Sequence, residues 1–358
     1  MLLSICMTTG RNAMGDSYKN IINEFPDKNE IIAIIPENYC KEEFSQNFDQ
    51  IIVDKISHAK WRLLKACRFA VALRKLVLEK KIKMVFFYFD NHLFNIILYL
   101  VLLGLNIKFF MWVHDPVLHL GANSKDKLIR WLNAKILLRK MKKIIVAYHG
   151  AVNELINHYK VSVDNIAVVY LPRMKELEFE DIKKKKIEKI YDLIFFGRIE
   201  EYKGLDLLLD VIKELPNVKL LIVGRGNYTE KILPKINICP NVTFINEYVS
   251  NRDLATYIKS ASWVILPYKT ATGSQTVQVA NYYGKPVLAT KVGCFNEYVK
   301  DDVNGLFINS YSYLALKDLV SRAVKKDMNE FLLLIDENLK EFSVTQTVNK
   351  LEKVIKCK

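Results

Sequence analysis

The stretch SWVILPYKTATGSQTVQVANYYGKPVLAT, residues 262–290, passes from one kind of segment to another and back. SWVILPY (262–268) is apolar almost throughout, as a strand buried on both faces requires. Residues 271–276 are small or uncharged, and Gly284 is a helix stop with Pro286 just beyond it. The spacing predicts a helix from about Ser274 to Tyr283. PVLAT (286–290) then opens another apolar strand. Strand, helix, strand in this order is the unit of a parallel sheet. A helix starting there would point four unpartnered amides and its positive end out of the sheet's carboxyl edge. That is an anion seat without a charged side chain. An ordinary Ser-capped helix is the competing reading of the same residues.

The alternation extends in both directions. DLIFFG (192–197), VKLLIVG (218–224), VTFINEY (242–248) and GLFI (305–308) are further strands of the second half. LLSIC (2–6), IIAIIP (31–36), MVFFYF (84–89), IKFFMWV (107–113), KIIVAY (143–148) and IAVVYL (166–171) run through the first. PRMKELEFEDIKKKKIEKIYD (172–192), charge-dense and led by proline, reads as a linker. The expected fold is α/β: two doubly wound, Rossmann-like domains facing a cleft. The first spans 1–171, the linker 172–191, the second domain 192–335, and a final helix, 336–358, packs back on the first domain.

Length and composition agree with this. At 358 residues the chain exceeds one ordinary core and suits two. Cys6, Cys40, Cys67, Cys239, Cys294 and Cys357 form no CxxC pair, which suggests a reducing cytoplasm and no structural zinc. The start, MLLSICMTTGRN, lacks the basic lead of a secretory signal. Residues 93–113 are the most membrane-like, but Asn95, Gly104, Asn106 and Lys108 interrupt them, so a helix, a turn and a strand are expected there.

The net charge of +14 is unevenly placed. Residues 55–83 hold ten Lys or Arg against Glu79 alone, and 124–143 hold eight against Asp126 alone. Both have helical apolar spacing, as in Leu128, Trp131, Leu132, Ile136 and Leu138. Two basic amphipathic helices in one half suit an anionic membrane surface, although either one alone would read as a solvated face. No nucleic-acid motif accompanies the charge.

Three strand ends in the second half carry candidate chemistry. FFGRIEEYKG (195–204) places Gly197, Arg198 and Lys203 where a strand gives way to a helix, a pattern suited to gripping a diphosphate. In VGRGN (223–227), Gly224 and Gly226 let the backbone bend toward a ligand or simply leave the strand. The third is the loop Thr272, Gly273, Ser274, Gln275, Thr276, with Gln278 one turn on. In the first half, His114 ends a strand in MWVHDP (111–116), where it is placed to bond a sugar or merely Asp115. His119 and His149 are weaker candidates. Gly15, in the loop TTGRNAMGDS (8–17), is expected to admit a close approach of donor to backbone. No Asp-x-Asp, metal-ligand spacing, Ser-His-Asp or nucleophilic Cys pattern occurs.

Together GRIEEYKG, VGRG and ATGSQTVQVANYYGKPVLATKVGCFNEYV resemble the donor-binding half of family 4 retaining glycosyltransferases of the GT-B fold, over about 192–310. MWVHDP adds to this, because that family often has a histidine there. The resemblance implies that Arg198 and Lys203 bind the nucleotide diphosphate and that Gly293, Cys294 and Phe295 approach the donor sugar. Many members carry two glutamates where Ala271 and Val279 stand here, so the chain is similar to a branch with small polar residues and a Gln instead.

The activity implied is transfer of a sugar from a nucleotide diphosphate to a hydroxyl of a glycan or lipid-linked glycan. Transfer would proceed with retention and without metal or other cofactor, at the inner face of the plasma membrane, in surface polysaccharide biosynthesis. Two other readings stand beside it: a nucleotide-sugar epimerase or hydrolase of the same fold, and a catalytically silent membrane-bound partner subunit.

Overall fold

The computed structural model describes residues 1–358 except 9–11, 55, 57–61, 118–123, 328 and 357–358, and except the side chains of 62, 124–126, 329, 330, 332 and 333. The chain divides into two units. One comprises residues up to Pro172 together with those from Val344 onward, and the other is built from Arg173–Ser343.

The first unit is a parallel sheet of β1 (Leu2–Ile5), β2 (Ile31–Ile35), β3 (Gln50–Val53), β4 (Met84–Phe87), β5 (Lys108–Trp112), β6 (Lys143–Val146) and β7 (Ile166–Val168). Their order is β3-β2-β1-β4-β5-β6-β7. Helices α1 (Ala13–Glu24), α2 (Arg62–Glu79), α3 (Leu93–Val101), α4 (Ser124–Ile136) and α5 (Gly150–Tyr159) connect them. The strand that sequence reading missed, β3, is a half-exposed edge strand whose short QIIV run has polar neighbours on both sides. Residues 93–113 form α3, a turn at Gly104 (φ +83°) and β5. Among the described residues no helix is long and apolar enough to cross a membrane.

The second unit holds β8 (Tyr191–Phe196), β9 (Leu220–Val223), β10 (Val242–Ile245), β11 (Ala261–Leu266), β12 (Val287–Thr290) and β13 (Gly305–Ile308). All pairings are parallel, in the order β10-β9-β8-β11-β12-β13. Its helices are α6 (Glu180–Lys184), α7 (Leu205–Lys213), α8 (Thr229–Asn237), α9 (Asn251–Lys259), α10 (Thr276–Tyr282), α11 (Phe295–Tyr298), α12 (Tyr313–Ala323) and α13 (Asn329–Lys340). Of the residues expected to form a linker, 172–191, all but Pro172 are built into this unit, Tyr191 as the first residue of β8. Leu177 and Ile182 are buried, Tyr283 donates to the Leu177 carbonyl at 2.5 Å, and Tyr282 donates to Glu180 at 2.6 Å. Only two apolar anchors, set among many charges, distinguish this segment from a solvated linker in the sequence.

The last helix, α14 (Val344–Lys356), belongs to the first unit and packs on α1. It buries Val348, Leu351 and Ile355, and Thr347 donates to the Tyr170 carbonyl at 3.0 Å.

In both sheets the strand order reverses beside the first strand, between β1 and β4 and between β8 and β11. Chains leaving neighbouring strands at such a point turn to opposite faces, and the crevice at their carboxyl ends is where open α/β sheets bind ligands.

Candidate active site

The second unit's reversal point is framed by the exits of β8 and β11. Gly197 leaves β8 at φ +108°, a conformation open to glycine, and Arg198 follows it. The Arg198 side chain is exposed and has no ion pair among the described residues. A single turn, Glu201–Lys203, then brings Lys203 back to this point. Lys203 is buried, with Nζ 5.3 Å from the centre of the Tyr268 ring and 5.7 Å from that of Phe195. A Cβ on Gly197 would stand 3.2 Å from this ammonium, so the glycine also leaves room for it. Burial, assisted by Arg198 and opposed by Glu200, pushes the Lys203 pKa down to about 8.

Lys285, the other buried lysine of this unit, differs in kind. Its ammonium is committed to the carbonyls of Lys259 (2.9 Å) and Ala261 (2.5 Å), tying the end of α9 to β11. Lys203 has no such partner among the described residues. An anion beside Arg198 and Lys203 would meet two cations at a strand end, one of them already largely stripped of water.

The loops around this point are locked by backbone contacts. A Cβ on Gly224 would lie 2.2 Å from the Gly197 carbonyl oxygen, and one on Gly226 2.2 Å from that of Ile199. These glycines are needed for the packing of the β9 exit on the β8 exit, so the close approach expected at Gly224 is made by the neighbouring loop. Lys269 donates its amide to the Tyr202 carbonyl at 2.6 Å, joining the β8 and β11 exits. Gly293, at φ +50°, lies against the Ala271 carbonyl and joins the β11 and β12 exits. Gly197, Arg198, Lys203, Gly224, Thr272–Thr276 and Gly293–Phe295 therefore form one rim.

Three expectations on that rim change. The helix begins at Thr276, two residues later than predicted, because the loop folds back on itself. The Ser274 amide donates to Cys294 Sγ at 3.4 Å, the Thr276 amide reaches Ser274 Oγ at 3.5 Å, and that hydroxyl pairs with Thr276 Oγ1 at 2.9 Å. Two of the four amides predicted to be open are thus engaged. Cys294 and Phe295 are fully buried, with Phe295 5.2 Å from the Tyr268 ring, so their side chains support the rim from beneath. Ala271 and Val279, the positions of the family's glutamates, are also buried. Gln278 is 1% exposed, and neither atom of its amide has a partner among the described residues. Such an amide costs roughly 1–3 kcal/mol to bury unpaired.

In the first unit, Gly15 is not in a loop. It is the third residue of α1, its amide donates to the Asn12 cap at 3.0 Å, and its open face lies under Tyr39, whose hydroxyl would be 2.5 Å from a Cβ. Close packing against an aromatic ring explains this glycine, and the approach predicted for a donor is filled. The loop residues 9–11 and His119 lie outside the described residues.

His114 lies just past the end of β5 and is 4% exposed. Its partner is not Asp115: Nε2 lies 2.9 Å from the Tyr88 carbonyl. A carbonyl only accepts, so Nε2 carries the proton and Nδ1 is left with a lone pair. Nδ1 is buried and has no partner among the described residues. Burial drives the pKa down to about 4, against the opposing effects of Asp115 and the Tyr88 carbonyl, so the ring is neutral near pH 7. Trp112 stacks on it at 5.5 Å with 9° between the planes.

Two parallel Rossmann-like sheets with flanking helices are the architecture of GT-B glycosyltransferases. Two solved structures share it along almost the whole chain. Anabaena HepE in complex with UDP and glucose has a TM-score of 0.74 at 14% identity, with 98% of each chain covered. WaaG, a glycosyltransferase involved in lipopolysaccharide biosynthesis, has a TM-score of 0.68 at 14% identity, with 100% of each chain covered. Residues 178–341 match the family of glycosyl transferases group 1, so the second unit carries a domain of that family. A 41.2 kDa protein in the cps region of Klebsiella pneumoniae is 28% identical over 183 residues, which are 48% of this chain and 49% of that one. The chain spans about half or less of the length of the curated relatives it matches.

The Lys203 pKa sets a pH dependence. Only the ammonium attracts a diphosphate, and binding would return its pKa toward the ordinary range. Affinity for a nucleoside diphosphate is therefore expected to hold below about pH 7.5 and to fall as pH rises through about 8, with proton uptake on binding in that window. Calorimetry in two buffers of different ionisation enthalpy measures this, and a flat profile to about pH 9 would exclude Lys203 from the contact.

Proposed function

We propose that this protein transfers a sugar from a nucleotide diphosphate sugar to a hydroxyl of a glycan or lipid-linked glycan, with retention and without a metal, in surface polysaccharide biosynthesis. The observation that carries the proposal is the juxtaposition of buried Lys203 and exposed Arg198 at the β8–β11 reversal, neither ion-paired among the described residues. Relatives in a cps region and in lipopolysaccharide biosynthesis support the polysaccharide setting.

The barrier to such a transfer is dominated by breaking the bond between the sugar's anomeric carbon and the phosphate oxygen. Negative charge accumulates on the departing diphosphate, where Arg198 and Lys203 stabilise it more in the transition state than in the ground state. The acceptor oxygen forms the new bond on the face the diphosphate leaves, and its proton passes to the departing phosphate oxygen. Neutral His114 offers Nδ1 as an acceptor for a substrate hydroxyl and adds no positive charge.

The acceptor side of the proposal includes an anionic membrane surface. In the first unit α2 packs on α3, and α3 on α4. Leu64, Val71 and Leu78, seven residues apart, form an exposed line along α2, opposite buried Ala66, Ala70, Leu73 and Val77. Leu100 and Leu103 continue the apolar surface on and just past α3, and Leu128 and Trp131 on α4, where Lys135 lies 4.3 Å over the Trp131 ring. The sequence pattern suggests 124–143 as one basic helix and places the helix within 93–113 in the interior rather than on this surface. In fact α4 ends at Ile136, and Lys143 lies in β6. Replacing Lys127, Lys135 and Arg139 together by Ala is expected to weaken binding to anionic liposomes by about a hundredfold. Unchanged sedimentation with phosphatidylglycerol vesicles would remove the membrane from the proposal.

The test of the activity is a panel of nucleotide sugars incubated with and without membrane lipid extract, followed by nucleoside diphosphate release. Release that requires the extract is expected. Sugar conversion without an acceptor, or no release from any donor, would overturn the reading.

A further inference from the structure

We propose that Asp90 and Arg130 form a positioning pair that holds the His114 ring with Nδ1 as its free acceptor, ready for a hydroxyl of the bound substrate. Asp90 leaves the end of β4 at the first unit's reversal point, and Arg130 reaches it from α4, forty residues on. Both are buried, 2% and 6% exposed, and Asp90 Oδ2 accepts directly from Arg130 Nη1. The other carboxylate oxygen, Oδ1, faces the backbone amide of His114 at 3.5 Å. The histidine is thus held from two sides: its amide by Asp90, and its Nε2–H by the Tyr88 carbonyl two residues before Asp90. Trp112 on one face and the edge of Tyr88, 5.0 Å away, leave the ring little rotation.

A buried ion pair is a poor stabilising device, because desolvating both charges cancels most of their attraction. Apolar residues of similar volume would pack this position at least as well. What they could not do is anchor the His114 amide to α4. Arg130 Nε and His114 Nδ1 are both buried without partners among the described residues, as expected of a polar cluster arranged around a group that arrives later. Asp90 and Arg130 are not themselves catalytic residues here; they act through His114. The inference rests on the transferase reading for its activity test, but not for its spectroscopic one.

The experiment uses the full chain with Asp90→Leu and Arg130→Met together, which removes both charges and leaves neither ion alone. The expected variant has an unchanged melting temperature and unchanged UDP affinity. Its kcat falls at least tenfold with the nucleotide sugar identified by the release panel. Arg130→Lys, which keeps the charge and loses the fork, is expected to lie between. The substrate whose hydroxyl His114 holds is the one, donor or acceptor, whose KM rises with the loss.

Independently of turnover, the imidazole 15N shifts of His114 should report the Nε2–H tautomer in the wild type and averaging between tautomers in the double variant. Wild-type kcat in the double variant would overturn the proposal, and so would unaltered 15N shifts. If no nucleotide sugar is turned over by the wild type, the transferase reading fails while the 15N comparison still decides whether the pair positions the ring.

Discussion

Arg198→Ala is expected to lower sugar transfer by about 10²–10³-fold, with the melting temperature unchanged. The side chain is exposed and has no partner among the described residues, so its removal breaks no packing and strands no buried group. Its neighbour Gly197 sets the backbone there, and the substitution leaves that glycine in place. What disappears is a planar fork able to grip two phosphate oxygens at once, which a lysine at the same position would not restore. Initial rates and a thermal melt measured on the same preparation check the two halves of the prediction. Near wild-type turnover from a folded Arg198→Ala variant would remove the β8 exit as the diphosphate seat.

Gly293→Ala is expected to destabilise the chain by roughly 3–5 kcal/mol, a large effect for one methyl group. Two costs combine. The residue sits at φ +50°, where any side chain strains its own backbone by about 1–2 kcal/mol. The new Cβ would also fall 1.6 Å from the Ala271 carbonyl oxygen, backbone that cannot rotate away. The β11 and β12 exits would have to separate, drawing the Cys294 thiol from the Ser274 amide. Gly104→Ala is the control: φ is +83° but nothing lies within 4 Å, so only the conformational cost of about 1–2 kcal/mol applies. Denaturant unfolding of the two variants should differ clearly, and equal midpoints would show that the rim is not locked as described.

The fold was legible because apolar runs between helical segments mark strands covered on both faces, and twelve of the thirteen strands fall on such runs, LIFF, LLIV and WVIL among them. The edge strand β3 escaped because three apolar residues between polar neighbours look like any loop. Arg198 and Lys203 were legible because a glycine, two cations and a strand end fall within a few residues of one another. The pair Asp90–Arg130 was not. Its members are far apart in sequence, and Arg130 sits in a helix whose described cations Lys127 and Lys135 face water, so that only the burial of Arg130 marks it out. Gly15 and Gly224 show the converse: a glycine after a strand announces a close approach, but not whether a ligand, a tyrosine ring or another loop makes it.

On the proposed function, the burial of Lys203 would tie the endurance of the second unit to its occupancy. Held in the interior with a pKa near 8, the protonated side chain lowers folding stability by a few kcal/mol below about pH 8, and that penalty fades as pH rises toward the ordinary lysine range. On the proposed function, a bound diphosphate would supply the counter-charge and remove the penalty, so that ligand and fold would reinforce each other. Lys203→Met is expected to give a sturdier protein and, on the proposed function, one that does not hold the diphosphate, a trade of function against robustness set by one ammonium group beside two aromatic rings.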